Sequence, residues 1–397
     1  MKTKTEMIKR IAYILFVALL TISCTMNKKE ETTKNNLNDS IASDGEMYMI
    51  VGTYTSNEGS KGIYVYKFDT DTGKSDSISM VEVANPSYLV ISPNEKFVYS
   101  VGENGGDDSF AHSFSFNKEI GDLTLLNSQH TEGSSPAYIT LDTKGNNVIT
   151  ANYGGGSISQ FNVNTDGTLS PLTNLFEFEG KGEDPIRQEK SHLHSVRYSP
   201  DGSYLFATDL GTDMIYRYKS IHSVFEGQPA ILETDTAVFT TPAGTGPRHF
   251  DFHPNGLYFY LIGELSGQVI VYDYNMGDLQ QKQTILADSV GARGSADIHV
   301  SPNGRFLYAS NRLKNDGIAI FAIDAQDGTL IKVGYQETVK HPRNFVITPN
   351  GKFLLVAGRD DNAIQVFAID NQTGMLNDTH QNVSIDKPVC IKFTRLN

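Results

Sequence analysis

An all-β, seven-bladed β-propeller with four-stranded antiparallel blades is predicted by three features of this 397-residue chain. One hairpin motif recurs at intervals of about 50 residues, the period of a four-stranded blade. A further apolar strand follows each hairpin and occurs seven times. The C-terminal residues supply a strand that the first copy lacks, so the two ends would share one blade and close the ring.

The hairpin copies are "ISPNEKFVYSVGE" from Ile91, "YSPDGSYLFATDL" from Tyr198, "FHPNGLYFYLIGE" from Phe252, "VSPNGRFLYASNR" from Val300 and "ITPNGKFLLVAGR" from Ile347. A degenerate copy, "LDTKGNNVITANY", starts at Leu141. Pro-Asn-Gly or Pro-Asp-Gly between alternating apolar runs is a turn with a mechanism, because Pro presets φ and Gly accepts positive φ. The turn residues Pro93, Thr143, Pro200, Pro254, Pro302 and Pro349 set the repeat. The third strands are "GIYVYKFD", "SFAHSFSFN", "SISQFNVN", "MIYRYKS", "QVIVYDY", "GIAIFAID" and "AIQVFAID". Most lead through an Asp-Gly or Thr-Gly turn into a short outer strand. The first copy, "MYMIVGTYT", has no leading strand, and "KPVCIKF" near the C-terminus fits the vacancy. Closure of this kind removes open sheet edges. Trp-Asp and Gly-His signals are missing and the chain has no Trp, which argues against WD40 repeats and Trp-docked blades.

Before the repeats, Lys2, Lys4, Lys9 and Arg10 precede the apolar run "IAYILFVALL" and then "TISC". That is a secretory signal, too short for a comfortable membrane span. Residues 1–23 are read as a lipoprotein signal peptide, although Leu20 stands one place early for a lipobox. Cys24 is the expected lipidation site. Residues 24–46 are polar and read as a flexible tether. Residues 47–397 form the propeller. The product would be an exported lipoprotein of the cell envelope, on the periplasmic or outer-membrane face, held to the membrane by its N-terminal lipid. Cys390 would then be the sole thiol besides the acylated one, so no intramolecular disulfide is expected. The net charge of −13 argues against a nucleic-acid partner.

Innermost strands face the channel of a propeller, and aligning the copies reads that channel ring by ring. Six residues before each turn stand Ser87, Ala137, His194, Arg248, Ala296 and Arg343, with Val389 in the closing blade. One place earlier is a mostly proline column of structural origin. Ten residues after the turn stand Tyr54, Glu103, Tyr153, Leu210, Glu264, Arg312 and Arg359. Both columns flank the same end of the hairpin, so Arg248 and Glu264 should meet at one mouth of the channel. A structural ion pair locking the blade would explain that pair alone. Convergence of His194, Arg248, Glu264, Arg312 and Arg343 favours a site. Guanidinium forks suit a carboxylate or phosphate, and His194 and Glu264 are the proton handlers. Tyr54 and Asn152 are expected to bind substrate with Arg312 and Arg343. Glu103 and Arg359 are expected to be solvated or locally paired. His192 and His194, with His299 or Asp297, offer a metal reading. The neighbouring arginines would repel a dication, so no metal and no cofactor is expected. His249 and His253 should pack or cap turns. "YGGGS" at 153–157 is a turn and not a phosphate loop, because no helix follows.

The sequence resembles the seven-bladed β-propeller lactonases, a family that includes bacterial 6-phosphogluconolactonases and fungal carboxymuconate-lactonizing enzymes. The likeness covers about residues 47–397. It is carried by "YMIVGTYT", "ANYGGGSIS", "HLHSVRYSPDGSYLFATDLG", "GPRHFDFHPNGLYFYLIGEL", "ADIHVSPNGRFLYASNR" and "HPRNFVITPNGKFLLVAG". It implies catalysis by His194, Arg248 and Glu264, joined by Arg312 and Arg343. The export signal departs from a cytosolic sugar-phosphate enzyme. The expectation is therefore a metal-independent lactonase acting on a small anionic lactone or sugar acid, by hydrolysis or reversible ring formation. The alternatives are a non-catalytic envelope propeller that binds an anionic carbohydrate in its channel, and a metal-dependent lactonase.

Overall fold

The computed structural model describes residues 45–220 and 231–395. The expected signal peptide at 1–23, Cys24 and nearly all of the expected tether at 24–46 lie outside the described residues. Those described form seven antiparallel sheets, one per blade. Blade one runs from the inside outward as Pro388–Arg395, Glu46–Thr53, Gly62–Asp69 and Ser75–Glu82. It is the shared blade: the C-terminal strand pairs antiparallel with the first strand, from Met47↔Arg395 to Thr53↔Pro388. Blades two to seven each take four consecutive strands, their inner strands being Leu89–Ile91, Pro136–Leu141, Leu193–Tyr198, Pro247–Phe252, Ser295–Val300 and Pro342–Ile347. In blade seven a fifth, two-residue strand, Val383–Ser384, also pairs with the third. No helix among the described residues is long and apolar enough to cross a membrane.

Alternation buries one side chain in two against each neighbouring blade. Among the described residues five apolar clusters result, the largest running through blades one to four. With no Trp to dock blades, tyrosines lock them. The second-strand hydroxyls of Tyr99, Tyr260 and Tyr308 donate to the turn carbonyls of Gly167, Gly328 and Gly374 in the next blade, at 2.9–3.1 Å.

The inner strands carry the feature that builds the site. Six of the seven lose register with the second strand at the same place. Pairing skips Val389 in blade one, Ala137 in blade three, His194 in blade four and Arg343 in blade seven. It skips Arg248 with His249 in blade five and Ala296 with Asp297 in blade six. These bulges fall on the column read from the sequence. A bulged residue leaves the ladder and its side chain is re-aimed. The repeat thus presents a ring of unpaired positions at one mouth of the channel.

Candidate active site

At that mouth lies a cavity of about 280 Å³. Four arginines (Arg187, Arg312, Arg343, Arg359) and two glutamates (Glu103, Glu264) line it, together with His194, His341, Tyr153, Ala137 and Leu313. In a chain of net charge −13 this is a cationic pocket.

Glu264 follows the second strand of blade five and is buried. Its Oε1 accepts from Arg187 Nη2 at 2.6 Å, and its Oε2 from Arg248 Nε at 2.8 Å. Arg312 Nη2 stands 3.3 Å from the same Oε2. Burial alone would raise this carboxyl. The guanidiniums of Arg312, Arg248 and Arg187 overrule it and hold it down at about 2. The sequence expectation that Arg248 and Glu264 meet across the hairpin is met in this geometry. Arg248 itself, 1% exposed, is not part of the lining. Its Nη1 donates to Ala296 O at 2.5 Å, which fixes it behind Glu264. It is placed to position the carboxylate and not to grip a substrate.

Arg343 is the contrast. It lines the cavity, and its nearest ionic partner is Glu103, 3.6 Å away. Its guanidinium lies over the Tyr54 ring, 5.5 Å from the centroid. No hydrogen bond holds it among the described residues, so its donor fork faces the cavity unused. Arg312 donates Nε to Gly294 O at 2.8 Å and is pulled down to about 9 by burial, with Glu264 opposing. His341 bridges Arg312 and Asp360; burial, with Arg312 and Arg359 nearby, lowers it to about 3.

His194 reaches the cavity, and its ring meets Tyr153 and His249 edge-on at 5.5 and 5.2 Å. Burial, then the charge of Arg248, keeps it neutral far below the usual histidine range. His192 does not join it. Its Nδ1 bonds Tyr153 O at 2.9 Å and its Nε2 bonds Glu189 at 3.1 Å, which occupies both positions a metal would need. Asp297 and His299 serve a network deeper in the channel. There Asp297 binds His249 Nδ1 at 2.7 Å and His299 Nε2 at 3.2 Å. His249, expected to pack or cap a turn, is part of this network. His253 does hold a turn, through Gly304 O and Asn255 N.

Beside the catalytic role expected of Arg248, three more expectations change. Asn152 does not reach the cavity: it is fully buried, and its amide is consumed by Ser157, Ser159 and Thr150 inside its own blade. Tyr54 backs the lining; its hydroxyl donates to Glu103 Oε2 at 2.8 Å and its ring supports Arg343. Glu103 is a wall of the cavity and not a solvated strand end. Arg359 is at the rim and paired locally with Asp360. Arg187 was not singled out from the sequence. It sits in the connection "KGEDPIRQEK", where the spacing from Thr143 to Pro200 is the longest in the repeat.

A family model described as a seven-bladed beta-propeller lactonase matches residues 48–393. The chain belongs to the seven-bladed β-propeller lactonase family. A Formosa agariphila 6-phosphogluconolactonase is 39% identical over 348 residues, covering 85% of this chain and 97% of that one. The Bacillus subtilis 6-phosphogluconolactonase is 35% identical, covering 86% and 97%. Among solved structures, a Bacteroides fragilis protein provisionally named 6-phosphogluconolactonase is 50% identical with a TM-score of 0.86, covering 90% of this chain and all of that one. The periplasmic gluconolactonase of Pseudomonas aeruginosa is 33% identical with a TM-score of 0.82, covering 89% and 100%. Within this lactonase family the names thus divide between phosphorylated and unphosphorylated sugar lactones.

Proposed function

We propose that this family member is a metal-independent lactonase that opens, or reversibly closes, the lactone of an anionic sugar acid, in the manner of a 6-phosphogluconolactonase. One observation carries the reading. A guanidinium with unused donors, Arg343, faces the same cavity as a carboxylate, Glu264, that three arginines keep ionised. The first suits an oxyanion or a substrate anion. The second is in the base form at every working pH. Its Oε1 carries a single donor, which leaves a lone pair for water.

In this mechanism Glu264 takes a proton from water as the water oxygen bonds to the lactone carbonyl carbon. The tetrahedral oxyanion is held by Arg343 with Arg312. The ring C–O bond then breaks, and Glu264 returns the proton to the leaving alkoxide. His194, neutral and at the cavity wall, orients the water or the ring oxygen by hydrogen bonding. Arg248 and Tyr54 are positioning residues, for Glu264 and for Arg343. A metal-dependent route lacks its ligand pair, since His192 is engaged elsewhere.

The test is a panel of sugar lactones, neutral and anionic, assayed with and without chelator. Hydrolysis insensitive to chelator supports the reading. Binding of sugar acids with no turnover of any lactone replaces it with a receptor. Export is proposed with it: signal residues 1–23 and Cys24 support a lipid-anchored envelope protein, and the periplasmic relative is consistent with that compartment. Fatty-acid labelling of cells should tag the wild type and not Cys24→Ala; labelling of neither leaves secretion alone.

A further inference from the structure

We infer that Arg187 selects lactones carrying an anionic substituent: the substituent takes the guanidinium from Glu264, and the carboxylate so released acts as the base. This rests on the lactonase reading and deepens it.

Three guanidiniums meet Glu264, but they are held differently. Arg248 and Arg312 are each tied to a backbone carbonyl, of Ala296 and Gly294, and are almost fully buried. The Arg187 side chain is 36% exposed, and its guanidinium meets Glu264 and the Tyr153 phenol, with no backbone carbonyl holding it among the described residues. Its backbone, by contrast, is fixed. The Asp184 carboxylate accepts from the amides of Ile186 and Arg187 and pairs with Arg293 across the mouth. Gln188 is fully buried, donates to Leu210 O at 2.9 Å and accepts from Asp184 N at 3.1 Å. The loop is a rigid mount for one movable cation.

The carboxylate of this pair is buried but its cation is not, so Arg187 can turn toward a second anion at the mouth while Glu264 keeps two buried guanidiniums. A phosphate or carboxylate arriving in the cavity offers Arg187 a two-pronged contact in place of the single Nη2–Oε1 bond it leaves. Glu264 then keeps only Arg248 and Arg312, so its basicity rises on binding. A neutral lactone has nothing to draw Arg187 away, and Glu264 stays shared three ways. The charged groups around this carboxylate are Arg187 from the loop, Arg248 from blade five, Arg312 from blade six and Arg343 from blade seven, with the Tyr153 phenol from blade three. Of these, Arg187 alone both bonds the carboxylate and is free of a backbone anchor; Arg343 is unanchored too but makes no hydrogen bond to Glu264.

The experiment compares wild type, Arg187→Met and Arg187→Lys on δ-gluconolactone, 6-phosphogluconolactone and a carboxylate-bearing glucarolactone. Losing a charge-assisted contact should lower kcat/KM on the anionic lactones roughly 10- to 100-fold, with Arg187→Lys in between. On δ-gluconolactone the same variant frees Glu264 and forfeits no anion contact, so its kcat/KM should hold or rise, leaving the two substrate classes at least about tenfold apart. The two anionic substrates distinguish phosphate from carboxylate as the group selected. The acid limb of kcat/KM on δ-gluconolactone should move up in Arg187→Met; an unmoved limb overturns the release step. Equal losses on all three lactones, or no loss on any, overturn the selection. If the wild type opens no lactone, the lactonase reading fails separately. Calorimetry with 6-phosphogluconate then decides: weaker binding by Arg187→Met retains anion selection, and equal binding ends it.

Discussion

The carboxyl of Glu264 sits among three guanidiniums, and that environment fixes how it answers pH. Its usual value lies near 4.5 and its folded value near 2. The depressed value means the carboxylate contributes stability above pH 4.5, which is lost as pH falls through 2. Lactonase activity that depends on it should therefore show no acid limb in kcat/KM on a neutral lactone between pH 4 and 7. A limb near 6 would move the base to another group. Glu264→Gln should lower turnover by roughly 10²–10⁴. It also leaves buried guanidiniums unpaired, which costs roughly 3–5 kcal/mol, so circular dichroism and a melting curve must accompany the assay. Arg343→Ala should lower kcat by about 10²–10³, and Arg343→Lys should recover only part, because a point charge cannot reproduce the fork. A full recovery with Lys would reduce Arg343 to a source of positive field. The positions of His194, Arg248, Glu264, Arg312 and Arg343 were legible because aligning the repeats puts them in two columns that flank the same end of the hairpin. Who contacts the cavity was not legible. Asn152 precedes a lining residue by one place, and in a strand one place is the opposite face. Arg187 belongs to no repeat position at all, and only the long interval before Pro200 marked its loop.

Between blades the structure relies on a small device, a tyrosine hydroxyl on a turn carbonyl with a ring packed against the turn glycine. Tyr260 donates to Gly328 O at 2.9 Å, while an added Cβ on Gly328 would meet the Tyr258 ring at 2.5 Å. Gly328 also has φ +72°. Gly328→Ala thus combines a left-handed penalty of roughly 1–2 kcal/mol with overpacking of about 1–3 kcal/mol. Tyr260→Phe should cost only about 1 kcal/mol, the loss of one hydrogen bond. Denaturant melts of the two variants check the order; a costlier Tyr260→Phe would make the hydroxyl, and not the packing, the lock. A second inter-blade tie is electrostatic. His299 in blade six contacts Asp297 at 3.2 Å and Asp251 of blade five at 3.6 Å. Burial opposes its charge, but the carboxylates of Asp297 and Asp251 prevail and raise it to about 9. A raised value places its stabilisation fully below pH 6.5, with loss as pH rises through 9. The melting temperature should fall across that window, and His299→Gln should lack that fall. Blade number and strand order were readable from the Pro-Asn-Gly turns, whose chemistry is local. The bulges and this network were not, because register slips and cross-blade partners leave no local residue signature.

At the scale of the ring, everything depends on whether Pro388–Arg395 stays paired with Glu46–Thr53. That strand is the inner edge of blade one and also meets blade seven: the Ile391 amide donates to Asn344 Oδ1 at 2.9 Å. Removing it would leave a three-stranded blade with an open edge and an unfilled position in the channel wall. Closure by non-local pairing makes a propeller cooperative, since no blade can leave without exposing both neighbours. Deleting residues 386–397 should therefore cause insolubility or a large fall in melting temperature, and a truncated protein that melts like the full chain would remove the shared blade from the account of stability. A gentler probe needs no deletion. Cys390 lies mid-strand, fully buried and free, and burial pushes its thiol above the ordinary range. In a Cys24→Ala background it should react with a thiol reagent only as fast as the strand opens. If closure is part of the cooperative fold, the labelling rate in increasing denaturant should follow global unfolding measured by circular dichroism. Labelling that runs well ahead of global unfolding would mean the closing strand detaches alone, and the ring would then be held by the remaining six blades without it.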